Sequence, residues 1–321
     1  MSGGTLEGFP PSPPVLVGVP RGVRPVPSFN CPDGRLTGLV ATIIVAREQA
    51  ERSAPVRLAD KVAIVTGTSP NIGGGIAEGL AAEGARVVCV DVAADNATQC
   101  AEGIRARGGQ ALGLVCDVTD DRQVETMVAR VREAHGRVDV LVNNAGILGG
   151  QSVLDMPLER WQRQLAVNLT GTFLCTKHVA RVMVERGTRG SIIVIVSTAG
   201  HQGQAGNIGY CTSKSGLLNF TRAAAMDLVR HGIRVNSLTP TATDVEEGDA
   251  RAVTWGRPRP ERGRRALDFA KMLPMDHLPS PRHYARAAVF LASDDSEMIT
   301  GIDLRVDAGA VAKYWPWVPH A

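Results

Sequence analysis

The stretch KVAIVTGTSPNIGGGIAEGL, residues 61–80, contains a strand, a turn and the start of a helix in direct succession. KVAIVT is a short apolar run, typical of a buried strand, and the helix that follows the glycine-rich turn is predicted to end at Gly84. At such a turn the free N–H groups of the helix N-terminus and its dipole favour a phosphate. A tight connection without a ligand is the competing interpretation of the loop taken alone.

The same alternation of strands and helices continues along the chain. Nearly continuous apolar, β-branched strands between helices predict a parallel sheet that is covered on both faces. We therefore expect a doubly wound α/β domain, the Rossmann fold, with about seven strands and with ligands at their carboxyl ends. The further strands are predicted at 86–91, 111–118, 138–146, 191–197, 233–240 and 301–307.

The helix after the third strand has the clearest pattern. Its predicted N-cap is Thr119 or Asp120 and its predicted stop is Gly136. The apolar residues expected to face the core recur at i, i+3, i+4 and i+7, and they are Val124, Met127, Val128 and Val131.

The composition bounds the class of protein. The chain has 321 residues, of which 44% are hydrophobic and 21% charged, which is typical of a globular protein with a large core. A formal net charge of +3 gives no indication of a nucleic-acid partner. The six cysteines form no CxxC pair and the histidines lack ligand spacing, so we expect reduced thiols, a cytoplasmic protein and no metal site.

Residues 1–56 differ from the remainder, because they are rich in proline and glycine and show no helical or alternating period. We expect a disordered or loosely docked extension, followed by the catalytic domain at 57–321. The apolar segment LTGLVATIIVA, residues 36–46, is shorter than the roughly 20 residues that span a bilayer, so no membrane partner is predicted. An alternative hypothesis is that translation starts internally, for example at Val56.

Asp91 makes the interpretation of the turn more specific. It lies about 20 positions further on, at the end of the second predicted strand, where a carboxylate accepts hydrogen bonds from the adenosine ribose hydroxyls. Such a carboxylate also repels a 2′-phosphate, and the segment TSPNI contains no basic residue to bind one. Both observations favour NAD over NADP as the cofactor.

Several further motifs follow in a fixed order: TGTSPNIG, CDVTD, NNAG, VNLTG, STAG with YCTSK, and IRVNSLTP. Over about residues 58–310 this series resembles the short-chain dehydrogenase/reductase family. The resemblance implies an oxidoreductase that transfers a hydride between NAD(H) and a small-molecule secondary alcohol or ketone. Two alternatives stay open: an NADPH-dependent 3-oxoacyl-type ketoreductase, and a non-catalytic protein that senses dinucleotides.

Tyr210 and Lys214 are the candidate catalytic pair. Positions four apart share one face of a helix, and a nearby ammonium lowers the pKa of a phenol, which suits Tyr210 to act as general acid/base. The resemblance implies that Lys214 also binds the nicotinamide ribose, that Ser197 orients the substrate oxygen and that Asn168 anchors a water molecule. A packing aromatic beside a solvated amine is the alternative interpretation of the pair.

The cofactor site is expected to combine the turn with the ends of the later strands. In the family pattern TGxxxGxG, Asn71 falls at the second glycine, where we expect a positive φ. The residues predicted to bind NAD are Gly67, Ser69, Asn71, Ile72, Gly73, Asp91, Val92, Asp117, Val118, Asn144, Ala145, Gly146, Tyr210, Lys214, Pro240, Thr241 and Thr243.

The segment PTATDV, residues 240–245, departs from the family pattern PGxxxT. Thr241 replaces the glycine, and Val245 replaces the threonine whose hydroxyl commonly holds the nicotinamide carboxamide. Thr243 is an alternative source of a hydroxyl or backbone contact.

A substrate lid is expected at about 245–280, where arginines lie among glycine and proline. They favour either an anionic substrate or an exposed, solvated loop. Trp255 is expected either to close over an apolar substrate or to pack. The aromatic tail suggests a subunit contact, and the family is commonly tetrameric, so we expect a homo-oligomer. The arginines are Arg251, Arg257, Arg259, Arg262, Arg264 and Arg265, and the tail carries Tyr314, Trp315 and Trp317.

Overall fold

A computed structural model describes residues 56–259, 261 and 268–313. Residues 1–55, which make up nearly all of the predicted N-terminal extension, lie outside the described residues. So do Arg262, Arg264 and Arg265 of the lid, and the three aromatic residues of the tail.

The described residues form one parallel sheet in the order β3-β2-β1-β4-β5-β6-β7. The chain moves outward from β1 to β3, returns beside β1 with β4, and then runs outward to the other edge, so the topology reverses between β1 and β4. The predicted doubly wound α/β fold is confirmed. The strands are β1 Val62–Thr66, β2 Arg86–Asp91, β3 Gln110–Val115, β4 Val140–Asn143, β5 Ser191–Ile195, β6 Arg234–Pro240 and β7 Asp303–Val306.

Helices cover both faces of this sheet, because successive strand residues point to opposite sides. In β1, Ile64 packs into the core beneath α3, α5 and α6, whereas Ala63 and Val65 pack beneath α1, α2 and α8. The helices are α1 Ile72–Ala82, α2 Ala94–Ala106, α3 Asp121–His135, α4 Leu158–Leu165, α5 Gly171–Glu185, α6 Ile208–Leu228, α7 Glu246–Thr254 and α8 Pro281–Ala292.

Helix α3 ends as its sequence predicts. The Asp120 carboxylate accepts hydrogen bonds from the backbone N–H groups of Arg122 and Gln123, and Gly136 closes the helix with a φ of 77°. The four apolar residues singled out in the sequence are the four that this helix buries. In the part of the chain that the structure covers, no helix combines the length and apolarity needed to cross a membrane.

Candidate active site

The turn between β1 and α1 is a tight backbone cradle. Gly67 has a φ of 71°, a conformation that residues with a Cβ rarely adopt. A Cβ placed on Gly73 would lie 2.0 Å from the Gly67 carbonyl oxygen and 2.5 Å from Asn144 Nδ2. Only glycine at position 73 therefore lets the start of α1 approach the end of β4.

Asn71 is the N-cap of α1, and its φ is −85°, so the expectation of a positive φ at this residue was wrong. Gly67 makes the left-handed turn instead, and the chain has already turned towards the helix when it reaches Asn71. The Asn71 side chain does not cap the helix, and its Oδ1 is buried without a partner among the described residues. The uncapped N-terminus of α1 and its glycine cradle fit the pyrophosphate of a dinucleotide.

The end of β4 is tied to this turn. The Thr66 hydroxyl accepts hydrogen bonds from the backbone N–H groups of Asn144 and Ala145, both at 3.1 Å. The Asn144 amide donates to the Gly67 carbonyl at 2.7 Å. These bonds fix the two carboxyl ends at the topological switch point, where open α/β sheets bind their ligands.

A cavity of about 1010 Å³ opens along the carboxyl ends of the strands. Every residue predicted above to bind the cofactor lines this cavity, and Ser197 does so as well. The wall also contains residues that no sequence pattern had indicated, among them Asn96, Ile147, Leu148, Arg163, Gln202 and Gln204. Phe269 and Met272, which lie in the predicted lid segment 245–280, line the cavity as well.

Ser197, Tyr210 and Lys214 meet in this cavity. The Ser197 hydroxyl hydrogen-bonds the Tyr210 phenol. The ammonium of Lys214 lies 5.8 Å from the centroid of the Tyr210 ring and donates to the Ile195 carbonyl at 2.7 Å. Ser197 follows β5 and the other two residues lie on α6, so the end of the strand and one helix face bring the three side chains together.

The pKa of Tyr210 is raised, contrary to the expectation that Lys214 lowers it. Burial of the phenol raises this pKa, and the hydrogen bond from Ser197 offsets only part of the increase. Burial also lowers the pKa of Lys214 to about 8. Since burial favours the neutral form of both groups, the phenol in this structure is suited to donate a proton.

Asn168 is fully buried, and its Oδ1 and Lys214 Nζ both lie near Gly146, 3.4 and 3.6 Å from a Cβ placed there. Asn168 belongs to a π-helical turn, Ala166–Thr170, that joins α4 to α5, and such turns are frequent at functional sites. Its Oδ1 accepts from the Ile147 N–H at 2.8 Å, and its Nδ2 donates to the Ile147 carbonyl and the Ser213 hydroxyl. Asn168 thus links the segment after β4 to α6, and its proposed role towards a water molecule stays a prediction.

Two carboxylates line the cavity at the carboxyl ends of β2 and β3, where the adenosine is expected. Asp91 is nearly buried at the end of β2, and its Oδ1 accepts from the backbone N–H of Ala93 at 2.9 Å. Asp117 accepts from the N–H and the hydroxyl of Thr119. Burial acts to raise the pKa of Asp117, but these hydrogen bonds and nearby Arg163 outweigh it, so the pKa is lowered.

The segment 240–245 lines the cavity at the end of β6, where the nicotinamide is expected. The Thr243 hydroxyl donates to the Thr241 carbonyl at 3.1 Å and lies 3.2 Å from the phenol oxygen of Tyr284 on α8. Its single proton is therefore used within the protein, and only an acceptor lone pair remains for a ligand. Burial raises the pKa of Tyr284 to about 12, so this phenol is protonated and able to donate.

The described part of the lid is more ordered than the sequence suggested. Residues 246–254 form α7, and Trp255 packs in the core against α1 and α2 without lining the cavity. Arg251 is buried between two glutamates, Arg257 donates to side chains of α2, and Arg259 pairs with Glu246. Acidic and amide groups of the protein thus hold Arg251 and Arg257, whereas Arg259 pairs with Glu246 at the exposed surface.

The chain is similar to a family model and to known oxidoreductases. A family model described as Enoyl-(Acyl carrier protein) reductase matches residues 67–311. Galactitol 2-dehydrogenase of Agrobacterium fabrum (strain C58 / ATCC 33970) is 37% identical over 257 residues, which cover 79% of this chain and 98% of the relative. D-threitol dehydrogenase of Mycolicibacterium smegmatis is 36% identical over 257 residues, covering 80% of this chain and 95% of the relative.

A solved structure described as a putative NAD(P)-dependent gluconate 5-dehydrogenase from Beutenbergia cavernae, with NADP bound at low occupancy, has the same fold. Its TM-score is 0.71 at 32% sequence identity, and the match covers 81% of this chain and all (100%) of the other. The parallel sheet, the phosphate cradle and these matches define an oxidoreductase of the Rossmann type. The chain belongs to the short-chain dehydrogenase/reductase family.

Proposed function

We propose that this protein is a dehydrogenase that interconverts a secondary alcohol and its ketone with NAD(H). One observation carries the proposal: the glycine cradle and the trio Ser197, Tyr210 and Lys214 face the same cavity. The nicotinamide ring supplies a hydride acceptor or donor at its C4 when it is bound. The residues of the chain bind and orient the reactants and move the accompanying proton.

Ser197, Tyr210 and Lys214 have different roles in binding the reactants and moving the proton. Ser197 holds the substrate oxygen beside Tyr210, and the phenol gives this oxygen a proton in reduction or takes it in oxidation. Lys214, fixed by the Ile195 carbonyl, holds the nicotinamide ribose and presents positive charge near the phenolate that oxidation requires. Because burial keeps Tyr210 protonated, we expect ketone reduction to prevail at neutral pH and alcohol oxidation to gain as the pH rises.

The proposal is tested with a panel of alcohols, polyols such as galactitol and D-threitol, cyclic diols and β-oxoacyl thioesters, each with NAD and NADP. Absorbance of the reduced nicotinamide gives the rate. Tyr210→Phe should reduce turnover by about 10²–10⁴-fold while NADH still binds. Thr212→Ala, an exposed position on the same helix, is the matched control and should leave the rate unchanged.

Each outcome of the panel has a meaning. Near-normal turnover of Tyr210→Phe would refute its catalytic role. NADH binding without turnover of any substrate would favour the non-catalytic alternative. Reduction confined to β-oxoacyl thioesters with NADPH would favour the ketoreductase alternative.

The preference for NAD rests on Asp91, whose carboxylate lines the adenosine end of the cavity. A 2′-phosphate beside this carboxylate would meet like charge. Asp91→Ala should therefore lower the ratio of kcat/KM for NAD to kcat/KM for NADP. An unchanged ratio would show that another residue sets the specificity.

We further propose a cytoplasmic homo-oligomer, a tetramer or a dimer. Helices α5 and α6 expose the large apolar side chains Phe173, Val184 and Met226, which suits a subunit contact. Light scattering tests the oligomeric state, and a monomer would refute it. Cell fractionation tests the compartment.

A further inference from the structure

Helix α7 lies directly against the loop between β1 and α1, residues 67–71, which we term the phosphate loop. A Cβ placed on Gly248 would be 3.3 Å from the Cα of Asn71 and 3.4 Å from the Pro70 carbonyl oxygen. The helix also follows directly on the segment 240–245 that lines the nicotinamide end of the cavity. One continuous piece of chain therefore touches both the loop expected to bind the pyrophosphate and the segment at the nicotinamide end of the predicted dinucleotide site.

Arg251 makes the polar contact between α7 and this loop. Its Nη1 donates to the Pro70 carbonyl at 2.6 Å. Its Nη2 donates to Glu247 Oε1 at 3.0 Å, and its Nε lies 2.9 Å from Glu78 Oε2 on α1. The side chain is only 7% exposed, and the two carboxylates compensate its buried charge, with Glu78 also paired to Arg107.

Two glycines of α1, Gly74 and Gly75, make room for the Arg251 side chain. A Cβ on Gly74 would lie 3.2 Å from Arg251 Cδ and 3.3 Å from the Trp255 ring. A Cβ on Gly75 would lie 3.5 Å from Arg251 Nη2 and 2.6 Å from Pro281 Cβ. The bare backbone of α1 thus lets the guanidinium reach past the helix to the loop.

The bond to Pro70 fixes the direction of a donor. In a trans peptide the C=O and the N–H point in opposite directions, so the Pro70 carbonyl and the Asn71 N–H are antiparallel. Pro70 and Arg251 lie outside the wall of the cavity, whereas Asn71 is part of it. Holding the carbonyl at Arg251 therefore turns the Asn71 N–H towards the cavity, where the pyrophosphate is expected.

We propose that Arg251 is a positioning residue for dinucleotide binding, which acts through the Pro70–Asn71 peptide to aim the Asn71 N–H at the pyrophosphate. This inference rests on the proposed function, since it requires that the cradle holds a dinucleotide. Arg251 touches neither the substrate nor the reacting atoms. Its removal should weaken ligands that carry the diphosphate and spare ligands that lack it.

The experiment compares NADH, ADP-ribose and adenosine by calorimetry on the full chain. Arg251→Met should weaken NADH and ADP-ribose by about 10–100-fold, the range for losing a hydrogen bond that involves a charged group. Adenosine should change by less than about 3-fold, because it lacks the diphosphate that the Asn71 N–H would bind. In kinetics, KM for the dinucleotide should rise while kcat at saturation stays nearly constant.

Three variants control the result. Arg259→Met removes an exposed arginine of the same segment and should leave all three affinities unchanged. Arg251→Lys retains the charge and a donor and should restore part of the affinity. If Arg251→Met does not fold, Arg251→Met with Glu247→Gln, which also removes the charge of the partly buried carboxylate that pairs with Arg251, takes its place in the same comparison.

Equal weakening of adenosine and ADP-ribose would overturn the inference, because it would indicate a general structural defect. Unchanged affinity for all three ligands would overturn it as well. A wild-type protein that binds neither NADH nor ADP-ribose would instead refute the proposed function, and the inference with it. The wild-type titration therefore separates the two failures.

Discussion

Gly73 is the position near the phosphate loop where a larger side chain would clash most severely. A Cβ there would meet the backbone oxygen of Gly67, which has no flexible end to move aside. We predict that Gly73→Ala weakens NADH binding by about 10–100-fold, the equivalent of an overpacking cost of 1–3 kcal/mol. Calorimetric titration measures the loss.

Gly108→Ala is the matched control for this prediction. Gly108 also has a positive φ, 84°, but a Cβ there would meet nothing within 4 Å. The substitution should cost about 1 kcal/mol of stability through backbone strain and leave NADH affinity intact. A Gly73→Ala protein that binds NADH as tightly as the Gly108→Ala control would contradict the described geometry.

The buried ammonium of Lys214 is expected to lower the stability of the fold. Its pKa in the folded protein, about 8, lies below its ordinary value of 10.5, so the unfolded chain binds this proton more tightly. The resulting cost, about 3 kcal/mol for a shift of this size, is fully present below pH 8 and disappears as the pH rises towards 10.5.

We therefore predict that Lys214→Met abolishes turnover but raises the free energy of unfolding at pH 7 by about 1 kcal/mol. The gain is smaller than the cost of the buried charge, because the Ile195 carbonyl loses its donor. Denaturant unfolding at pH 7 and pH 10 measures the effect, and the advantage of the variant should shrink at the higher pH. A variant that is less stable at both pH values would be evidence against this account.

At the scale of elements, the π-helical turn between α4 and α5 depends on one side chain. Asn168→Ala would remove the partners of both the N–H and the carbonyl of Ile147. We predict a loss of about 2–4 kcal/mol in the free energy of unfolding and a fall in turnover, because the segment after β4 would no longer be tied to α6. Chemical denaturation and initial rates measure the two effects.

Asn219→Ala provides the comparison for Asn168→Ala, since Asn219 is an exposed asparagine of α6. Its stability should stay within about 0.5 kcal/mol of the wild type. Equal effects of the two substitutions would show that the hydrogen bonds to Ile147 do not support the turn.

Elements with a local cause were predictable from the sequence. The strands follow from short apolar runs, and α3 from its 3.6-residue period, its Asp120 cap and its Gly136 stop. The π-helical turn left no such pattern, because the bonds between Asn168 and Ile147 that accompany it join residues 21 positions apart. The docking of α7 was equally hidden, since it depends on glycines of α1 that precede Arg251 by more than 170 residues.

At the scale of the whole molecule, the cavity gathers loops from both halves of the sheet, from β1 and β2 on one side to β5 and β6 on the other. Because these loops come together only in the folded protein, a dinucleotide is expected to bind the native state and not the unfolded chain. We predict that NADH at 100 times its Kd raises the free energy of unfolding by about 2.7 kcal/mol. Denaturant titration with and without NADH measures the shift, and its absence at that concentration would refute binding to the native state alone.

Many residues that line the cavity were predictable from the sequence, but the direction of the Tyr210 pKa shift was not. Residues such as Asp91 and Tyr210 were found because strand ends and a four-residue spacing place them, and these are local properties of the sequence. The direction of the Tyr210 pKa depends on how deeply distant segments bury the ring, which no local pattern records. Phe269 and Met272 lie in the predicted lid segment, but no local pattern indicates that these two side chains are the ones that reach the cavity.

The position of Trp255 gives the protein an internal optical probe. Its indole lies between α1 and α2, with the ring near Gly74, Nε1 facing Gly103 and the Arg257 guanidinium 5.5 Å from the ring centroid. Indole emission moves to longer wavelength when the ring enters water, so the colour of this one fluorophore reports whether α7 is seated. With Trp161, Trp315 and Trp317 changed to phenylalanine, that seating becomes visible in real time without any attached dye.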